Sequence, residues 1–99
     1  MHTICIQWAM DVRWDPAKAE SNLRKHGIRF SDAELVLYDP VALTFEDARA
    51  LGEQRFVTVG ADARNRVVVL VYTHRADHVR LISASRATRT ERRAYEEGV

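Results

Sequence analysis

The sequence predicts an α+β protein in which helices pack on one face of a curved antiparallel sheet. Residues 55–60, 67–73 and 78–84 are apolar, strand-like runs joined by short polar connections. Short connections between consecutive strands favour an antiparallel meander. Helix-start patterns occur twice before this meander and once after it. The predicted order is therefore β-α-α-β-β-β-β-α, in one domain spanning residues 1–99.

The first helix has a clear start and a clear end. A strand that ends at Trp14 is followed by Asp15, a suitable N-cap, and by Pro16, which fits the first helical position. The helix is predicted to run to about His26. Gly27 then supplies the left-handed residue that commonly ends a helix.

A second helix is predicted directly after the first. Residues 31–34 (Ser-Asp-Ala-Glu) fit a capping box, and Phe30 and Leu35 are placed as its hydrophobic staple. The helix should end at residues 39–40 (Asp-Pro), because the residue before proline disfavours helical geometry.

Four strands are predicted after this helix. The run 67–73 (Val-Val-Val-Leu-Val-Tyr-Thr) is apolar on both faces, which is typical of a central strand. The predicted strands are 41–45, 55–60, 67–73 and 78–84, with a hairpin loop at 61–66 and a turn at 75–77.

Positive charge is concentrated in the second half of the chain. The net charge is only +1. Residues 1–53 carry six basic residues against nine acids, whereas residues 54–99 carry nine arginines, no lysine and five acids. Arginine presents a planar fork of donors that suits phosphate or carboxylate. An anion such as RNA or DNA is the expected ligand of this half; a solvated mixture of charges, or a high-GC genome, is the alternative.

Several classes of protein are not expected. Cys5 is the only cysteine, so there is neither an internal disulfide nor a multi-cysteine metal site. His74 and His78 flank one turn without an obvious third ligand, and no metal or other cofactor is expected. Phosphate-binding glycine loops and nucleophile elbows are missing from the sequence. No apolar run is long enough to span a membrane, and residues 1–10 make a poor signal peptide, so a cytoplasmic location is expected.

The last predicted helix begins with arginines. Thr88 and Glu91 fit a capping box, and the helix should run to about residue 97. Arg89, Arg92 and Arg93 lie in its first two turns, although a helix N-terminus favours acids. A broken local rule often marks a functional site. The alternative is that the arginines pair with nearby acids. Those acids are Asp47, Glu96 and Glu97.

Two further side chains of the second half, Arg86 and Tyr95, are candidates for contacting an anion. Arg86 ends the last strand, where residues project into clefts, and is the best single candidate. Arg75 and Arg80 flank the turn between the last two strands. Tyr95 either packs the last helix on the sheet or donates a hydrogen bond to a phosphate.

Two short motifs are candidates for acid–base chemistry. Lys25 and His26 end the first helix, where the helix dipole favours cations, so a structural role is the alternative to a phosphate contact or an acid–base role. Glu53 and Arg55 are predicted on one face at the start of a strand. A carboxylate beside a guanidinium can serve as a general base with an electrostatic partner, but the pattern by itself favours an ordinary salt bridge.

These motifs together resemble the BrnT toxins. The resemblance covers about residues 11–97. It rests on Trp14-Asp-Pro-x-Lys18, Asn22-x-x-Lys25-His26-Gly27-Ile28-x-Phe30, Ala33, Asp39-Pro40, Glu53-x-Arg55, Gly60, Val71-Tyr-Thr-x-Arg75, Arg80-Leu-Ile-Ser-Ala-x-Arg86 and Glu91-Arg-Arg-x-Tyr95. It implies a RelE-like fold and a type II toxin, a metal-independent ribonuclease that arrests translation. The implied partner is a BrnA-like antitoxin with a ribbon-helix-helix part, through which the complex binds operator DNA.

The resemblance also implies an active face. RelE-like nucleases cleave by attack of the ribose 2′-OH on the adjacent phosphate, which needs a base, positive charge and an acid. The hypothesis assigns Glu53 or His26 as base, Arg55 and Arg86 to the phosphate, and Lys25 or Arg80 in support. The last helix lies beside this face. The RNA-binding residues implied are Arg75, Arg80, Arg89, Arg92 and Tyr95.

Two departures from the family pattern lie in the first half. Family members begin a few residues before Trp-Asp-Pro, so Met10 fits such a start and residues 1–9 are a candidate N-terminal extension. The segment after Phe45 carries Ala48-Arg49 where relatives often have a histidine after the aspartate. A rival interpretation is a non-catalytic module, such as an inactivated toxin, that uses the same arginines in operon regulation.

Overall fold

The structure, a computed structural model, describes residues 10–48 and 51–98. The α+β class is confirmed. In chain order the elements are β1 (Val12–Arg13), α1 (Pro16–His26), α2 (Phe30–Ala33), a 3₁₀ helix (Glu34–Tyr38), β2 (Leu43–Glu46), β3 (Phe56–Ala61), β4 (Val67–His74), β5 (Val79–Arg86) and α3 (Arg89–Glu97). The candidate extension at residues 1–9, and Arg49, lie outside the described residues.

The five strands form one mixed sheet in the order β1-β5-β4-β3-β2. Strands β2 to β5 make the expected antiparallel meander. β1, however, runs parallel to β5, with Val12 opposite Val79, so the expectation of a wholly antiparallel sheet is wrong at this edge. The Val79 N–H donates to the Asp11 carbonyl at 2.8 Å. A two-residue strand carries no periodic signal from which its direction could have been predicted.

The predicted ends of α1 are confirmed. The Asp15 carboxylate accepts a hydrogen bond from the Ala17 N–H at 3.0 Å, and Pro16 follows the cap. Gly27 adopts φ 70°, and its N–H donates to the Leu23 carbonyl at 2.9 Å. These bonds join residues only a few positions apart, so the sequence pattern specifies them directly.

The capping box predicted for the second helix is wrong. The helix begins at Phe30 and its N-cap is Arg29, which makes no capping bond through its side chain. Phe30 is 2% exposed and belongs to the core. Packing of this ring, rather than the Ser31 pattern, decides where the helix starts.

The strand predicted from residue 41 begins two residues later, at Leu43. The Val41 N–H donates to the Asp39 carboxylate at 3.0 Å, and the Ala42 N–H donates to the Asp39 carbonyl at 3.1 Å. Both amides are therefore used in a turn and are not available to the sheet ladder.

Strand alternation gives the sheet two unlike faces. Val68, Leu70 and Tyr72 of β4 are buried in the main core with residues of the α1–α2 segment. We call this the helix-covered face. The side chains that alternate with these along each strand point to the other face, which we call the open face. Among these are Val57, Val59, Val69 and Val71.

The third helix does not join the other two on the helix-covered face. Glu91 of α3 lines a groove together with Val57, Val69 and Val71, so α3 lies on the open side of the sheet. The expectation that all helices pack on one face is therefore wrong. Only two residues connect β5 to α3, and so short a connection keeps α3 at the end of the sheet where β5 finishes.

Asn22 covers the edge of β5 beyond the short β1 strand. Its side-chain amide donates to the Ala84 carbonyl at 2.8 Å, and its amide oxygen accepts from the Ala84 N–H at 3.0 Å. It also donates to the Ile28 carbonyl at 3.0 Å. Asn22 is 6% exposed and Ala84 is fully buried. One side chain thus takes the place of a neighbouring strand and attaches α1 to the sheet.

Candidate functional site

Two of the predicted arginines lie at one end of the open face. Arg80 is opposite Thr73 in the β4–β5 register, and Thr73 follows the alternation of Val69 and Val71. Arg55 immediately precedes β3, and its carbonyl accepts from the Asp47 N–H at 2.8 Å. Within the described part of the chain neither arginine forms an ion pair, so both guanidinium groups are available to an anion.

Lys25 and His26 line a cleft beside the same strand. The cleft has a volume of about 200 Å³ and lies between the C-terminal end of α1 and β5. We call it the basic cleft. Its lining residues are Lys18, Ser21, Asn22, Lys25, His26, Ile82 and Ser83. Ser83 is opposite Val71, so the cleft adjoins the open face close to Arg80. No carboxylate from the described part of the chain lines it, and its charges favour an anionic ligand.

Glu53 does not form the predicted pair with Arg55. Its carboxylate is 2.7 Å from the Arg75 guanidinium, and it lies in the connection before β3 rather than in the strand. The Thr73 hydroxyl donates to the Gln54 carbonyl at 2.7 Å and fixes this connection against β4. The ion pair is more than one-third exposed on both sides, so it positions Glu53 and Arg75 more than it stabilises the fold.

Arg86 lies far from this group. Arg80 and Arg86 are separated by most of β5, roughly 20 Å at about 3.3 Å per residue. Arg86 pairs in register with Val68, a core residue of the helix-covered face. Arg55 and Arg86 are therefore at opposite ends and on opposite faces, which contradicts the hypothesis that both hold one phosphate.

The arginines of α3 are exposed and unpaired. The predicted capping box is present, with Thr88 accepting from the Glu91 N–H at 3.1 Å and Glu91 accepting from the Thr88 N–H at 2.7 Å. Within residues 10–48 and 51–98, Arg89, Arg92 and Arg93 make no ion pair with the nearby acids. Together with Arg86 they form a second basic surface next to the start of the helix.

Tyr95 attaches α3 to the turn before β2. Its hydroxyl donates to the Asp39 carboxylate at 2.5 Å, and that carboxylate also accepts from the Ala61 N–H at 2.8 Å. Burial raises the pKa of Asp39, but the hydrogen bonds from Tyr95, Ala61 and Val41 outweigh it and leave the pKa below its usual value. The hydrogen bond to Asp39 raises the pKa of Tyr95 to about 12. The Tyr95 hydroxyl is thus already engaged, and an RNA-binding role for it stays a prediction.

The hydrogen bond from Tyr95 to Asp39 predicts a loss of stability at alkaline pH. Because the folded pKa is about 12 and the ordinary value is 10.0, the unfolded chain loses the proton first. The stabilisation is complete below the unfolded value and declines as pH rises toward the folded one. Urea midpoints measured at about pH 9 and about pH 11 should therefore fall more in the wild type than in Tyr95→Phe. Tyr38→Phe is the control, since the Tyr38 hydroxyl makes no hydrogen bond within the described residues. If the urea midpoint falls equally in wild type and in Tyr95→Phe, the hydrogen bond from Tyr95 to Asp39 does not stabilise the fold.

Sequence reasoning missed two residues of this region. Asn22 entered only as part of a motif, although it positions α1 against β5. Ser83 was not singled out, yet it lines the basic cleft. Neither has a local signal, because each acquires its neighbours only when α1 packs on the edge of β5.

Two general properties of the described residues are also relevant. No group of three or more histidine, cysteine, aspartate or glutamate side chains among residues 10–48 and 51–98 is arranged to hold a metal ion. None of the helices in this part of the chain is long and apolar enough to cross a membrane.

Comparisons with known proteins agree with the resemblance drawn from the motifs. Residues 14–91 match the family described as ribonuclease toxin, BrnT, of type II toxin–antitoxin system. The fold is similar to the 1.1 Å crystal structure of the Brucella abortus ribonuclease toxin, BrnT, with a TM-score of 0.63 and 23% sequence identity over 81% of this chain and 99% of that one. At this identity the likeness shows the fold alone. None of the curated proteins matches.

Proposed function

The chain belongs to the BrnT family of ribonuclease toxins of type II toxin–antitoxin systems, and on this premise we propose that it cleaves RNA at the basic cleft without a metal ion. A type II toxin implies an antitoxin partner and an RNA substrate. The observation that carries the proposal is that Lys18, Lys25 and His26 line a cleft beside β5, with no carboxylate of the described residues in its lining. A polyanion is attracted to such a site and repelled from the acid-lined groove elsewhere on the sheet.

The chemistry that this cleft supports is attack of a ribose 2′-OH on the adjacent phosphate. The proposal gives His26 the role of base, taking the 2′-OH proton as the new P–O bond forms. Lys25 and Arg80 stabilise the negative charge of the phosphorane. As the bond to the 5′-oxygen breaks, the Lys25 ammonium supplies its proton. The products are a 2′,3′-cyclic phosphate and a 5′-hydroxyl.

Glu53 is the alternative base. Its carboxylate lies 2.7 Å from the Arg75 guanidinium, and a carboxylate can serve as a general base. The same ion pair occupies one of its oxygens. Glu53 also does not line the basic cleft. His26 makes no hydrogen bond within the described residues, and this freedom supports it as first choice.

The remaining arginines are assigned to the rest of the RNA strand. In the proposal, Arg55 and Arg75 contact phosphates next to the cleaved one, near the end of the open face that carries Arg80. Arg86, Arg89 and Arg92 contact backbone phosphates beyond the cleft, since several separated arginines suit a ligand with many phosphates. In the proposal the fold is RelE-like, and cleavage of RNA in the cytoplasm arrests translation.

The proposed partner is a BrnA-like antitoxin. A ribbon-helix-helix part of this antitoxin would bind operator DNA, so that the complex represses its own operon. The toxin itself then needs no DNA contact.

Induction in cells tests the whole proposal. The chain is expressed from a tight promoter, with and without the product of the adjacent gene, and growth and total RNA are followed. Growth arrest with RNA cleavage, relieved by the neighbouring product, is the expected result. Intact RNA and normal growth would instead favour the non-catalytic binding module.

A further inference from the structure

The part of the open face between β2 and α3 has a different chemical character from the basic cleft. Between β2 and α3 lies a groove of about 410 Å³. Its floor is apolar, formed by Val57, Val69 and Val71, and Phe45 stands at its side. Phe45 is 54% exposed. Val57 is 8% exposed and Val69 and Val71 are half-buried, so Phe45 contributes most of the exposed apolar surface. An exposed aromatic ring beside an apolar groove is typical of a protein-binding surface.

The rim of this groove is acidic. Glu46, Asp47 and Glu91 line it, and among residues 10–48 and 51–98 no basic side chain does. Carboxylates repel RNA phosphates, so this half of the open face is unsuited to the proposed substrate. They attract lysine and arginine. The groove is therefore complementary to an apolar segment flanked by basic residues.

The position of the groove is suited to an added segment. β2 is the last strand at its side of the sheet, so its outer edge has no neighbouring strand within residues 10–48 and 51–98. Unpaired edge groups can accept an extended segment from another chain. A segment paired there would bring its side chains next to Phe45, and its continuation would reach the groove.

We propose that this groove docks the antitoxin, through a segment that places apolar side chains over Phe45, Val69 and Val71 and basic side chains at Glu46 and Glu91. The inference rests on the proposed function for the existence of the antitoxin. Its new content is the surface and the chemistry of the segment. A partner seated here would lie across the same face as Arg55 and Arg80, and would obstruct RNA without contacting the basic cleft.

Co-purification separates docking from catalysis. The chain is co-expressed with the tagged product of the adjacent gene, as wild type, as the double variant Phe45→Ser/Glu46→Arg, and as Lys25→Ala. Phe45 and Glu46 are exposed, so the double variant should fold, which circular dichroism checks. We expect it to lose affinity for the partner by at least about tenfold and to keep ribonuclease activity. Lys25→Ala should lose ribonuclease activity and keep its affinity for the partner. Unchanged affinity in the double variant would overturn the docking surface.

A peptide titration tests independently whether the groove binds a basic apolar segment rather than an acidic one. Two synthetic twelve-residue peptides of alternating leucine and lysine, or leucine and glutamate, are added to isotopically labelled protein. The lysine peptide should shift the amide signals of residues 57, 69 and 71, and the glutamate peptide should not. No shift there with the lysine peptide would overturn the proposal. Self-association of the free chain through this face would show a second copy as the occupant and would also overturn it.

Together the two experiments distinguish a wrong docking surface from a wrong proposed function. If the neighbouring product does not bind the wild type, the antitoxin part of the proposed function fails, whereas the peptides still report on the groove. If the neighbouring product binds wild type and double variant equally, the proposed function stands and the docking surface is elsewhere.

Discussion

Replacing His26 with alanine will lower the rate of RNA cleavage by about a hundredfold to a thousandfold, the range expected when a general base is removed. His26 is the last residue of α1 and is exposed. Its imidazole makes no hydrogen bond within the described part of the chain, so the fold loses little when the ring is removed. Cleavage of a labelled RNA by purified protein, measured against denaturation curves of the same samples, separates loss of chemistry from loss of structure.

A matched control lies in the same helix. Arg24 is two residues away and pairs on the surface with Glu20 at 2.6 Å. Arg24→Ala removes a side chain from the same turn, and activity should stay within about twofold, because an exposed pair contributes little. A His26→Ala variant as active as Arg24→Ala would exclude His26 as the base.

Glu53→Gln distinguishes the two candidate bases. Glutamine keeps the shape of glutamate but cannot accept the proton, and it weakens the pair with Arg75. With His26 as base, Glu53→Gln should lower activity only modestly. A loss as large as that predicted for His26→Ala would move the base to Glu53.

Replacing Asn22 with alanine will lower the free energy of unfolding by about 3 kcal/mol, since it leaves buried backbone groups without partners. The Ala84 N–H and carbonyl both bond to this side chain, at 3.0 Å and 2.8 Å, and Ala84 is fully buried. Removing the amide therefore leaves two buried backbone groups without their protein partner. Urea denaturation at neutral pH measures the change.

Ser21→Ala is the control for this prediction. Ser21 precedes Asn22 in α1, makes no hydrogen bond within the described residues, and alanine favours the helix. Its unfolding free energy should stay within about 0.5 kcal/mol of the wild type. A similarly small change for Asn22→Ala would mean that the sheet edge does not depend on this amide.

The loss of Asn22 should also affect the site. α1 carries Lys25 and His26, and the Asn22 amide is what holds this helix to β5 beside Ser83. An Asn22→Ala protein that remains folded at low temperature is expected to cleave RNA more slowly, because the base is less well positioned. This links the stability of one buried amide to the geometry of the basic cleft.

The helix ends were predictable from the sequence because their bonds are local. Asp15 and Gly27 bound α1, and Thr88 with Glu91 starts α3, through contacts that span at most four residues. The meander of β2 to β5 was predictable for a similar reason, since short connections leave consecutive strands few other partners. The residue types of the site, lysine, histidine and arginine, were also evident, and they matched a family pattern.

The tertiary structure alone decided which of these residues meet. The sequence does not show that Glu53 reaches Arg75, that Arg86 lies far from Arg55, or that Asn22 completes the edge of β5. It also does not show that α3 lies on the open face, where Glu91 joins three valines in an acidic, apolar groove. Each of these contacts depends on strand register and on the packing of side chains such as Phe30, between residues distant in the chain. Short-range hydrogen bonds leave a local pattern in the sequence, whereas long-range neighbours exist only after the core has formed.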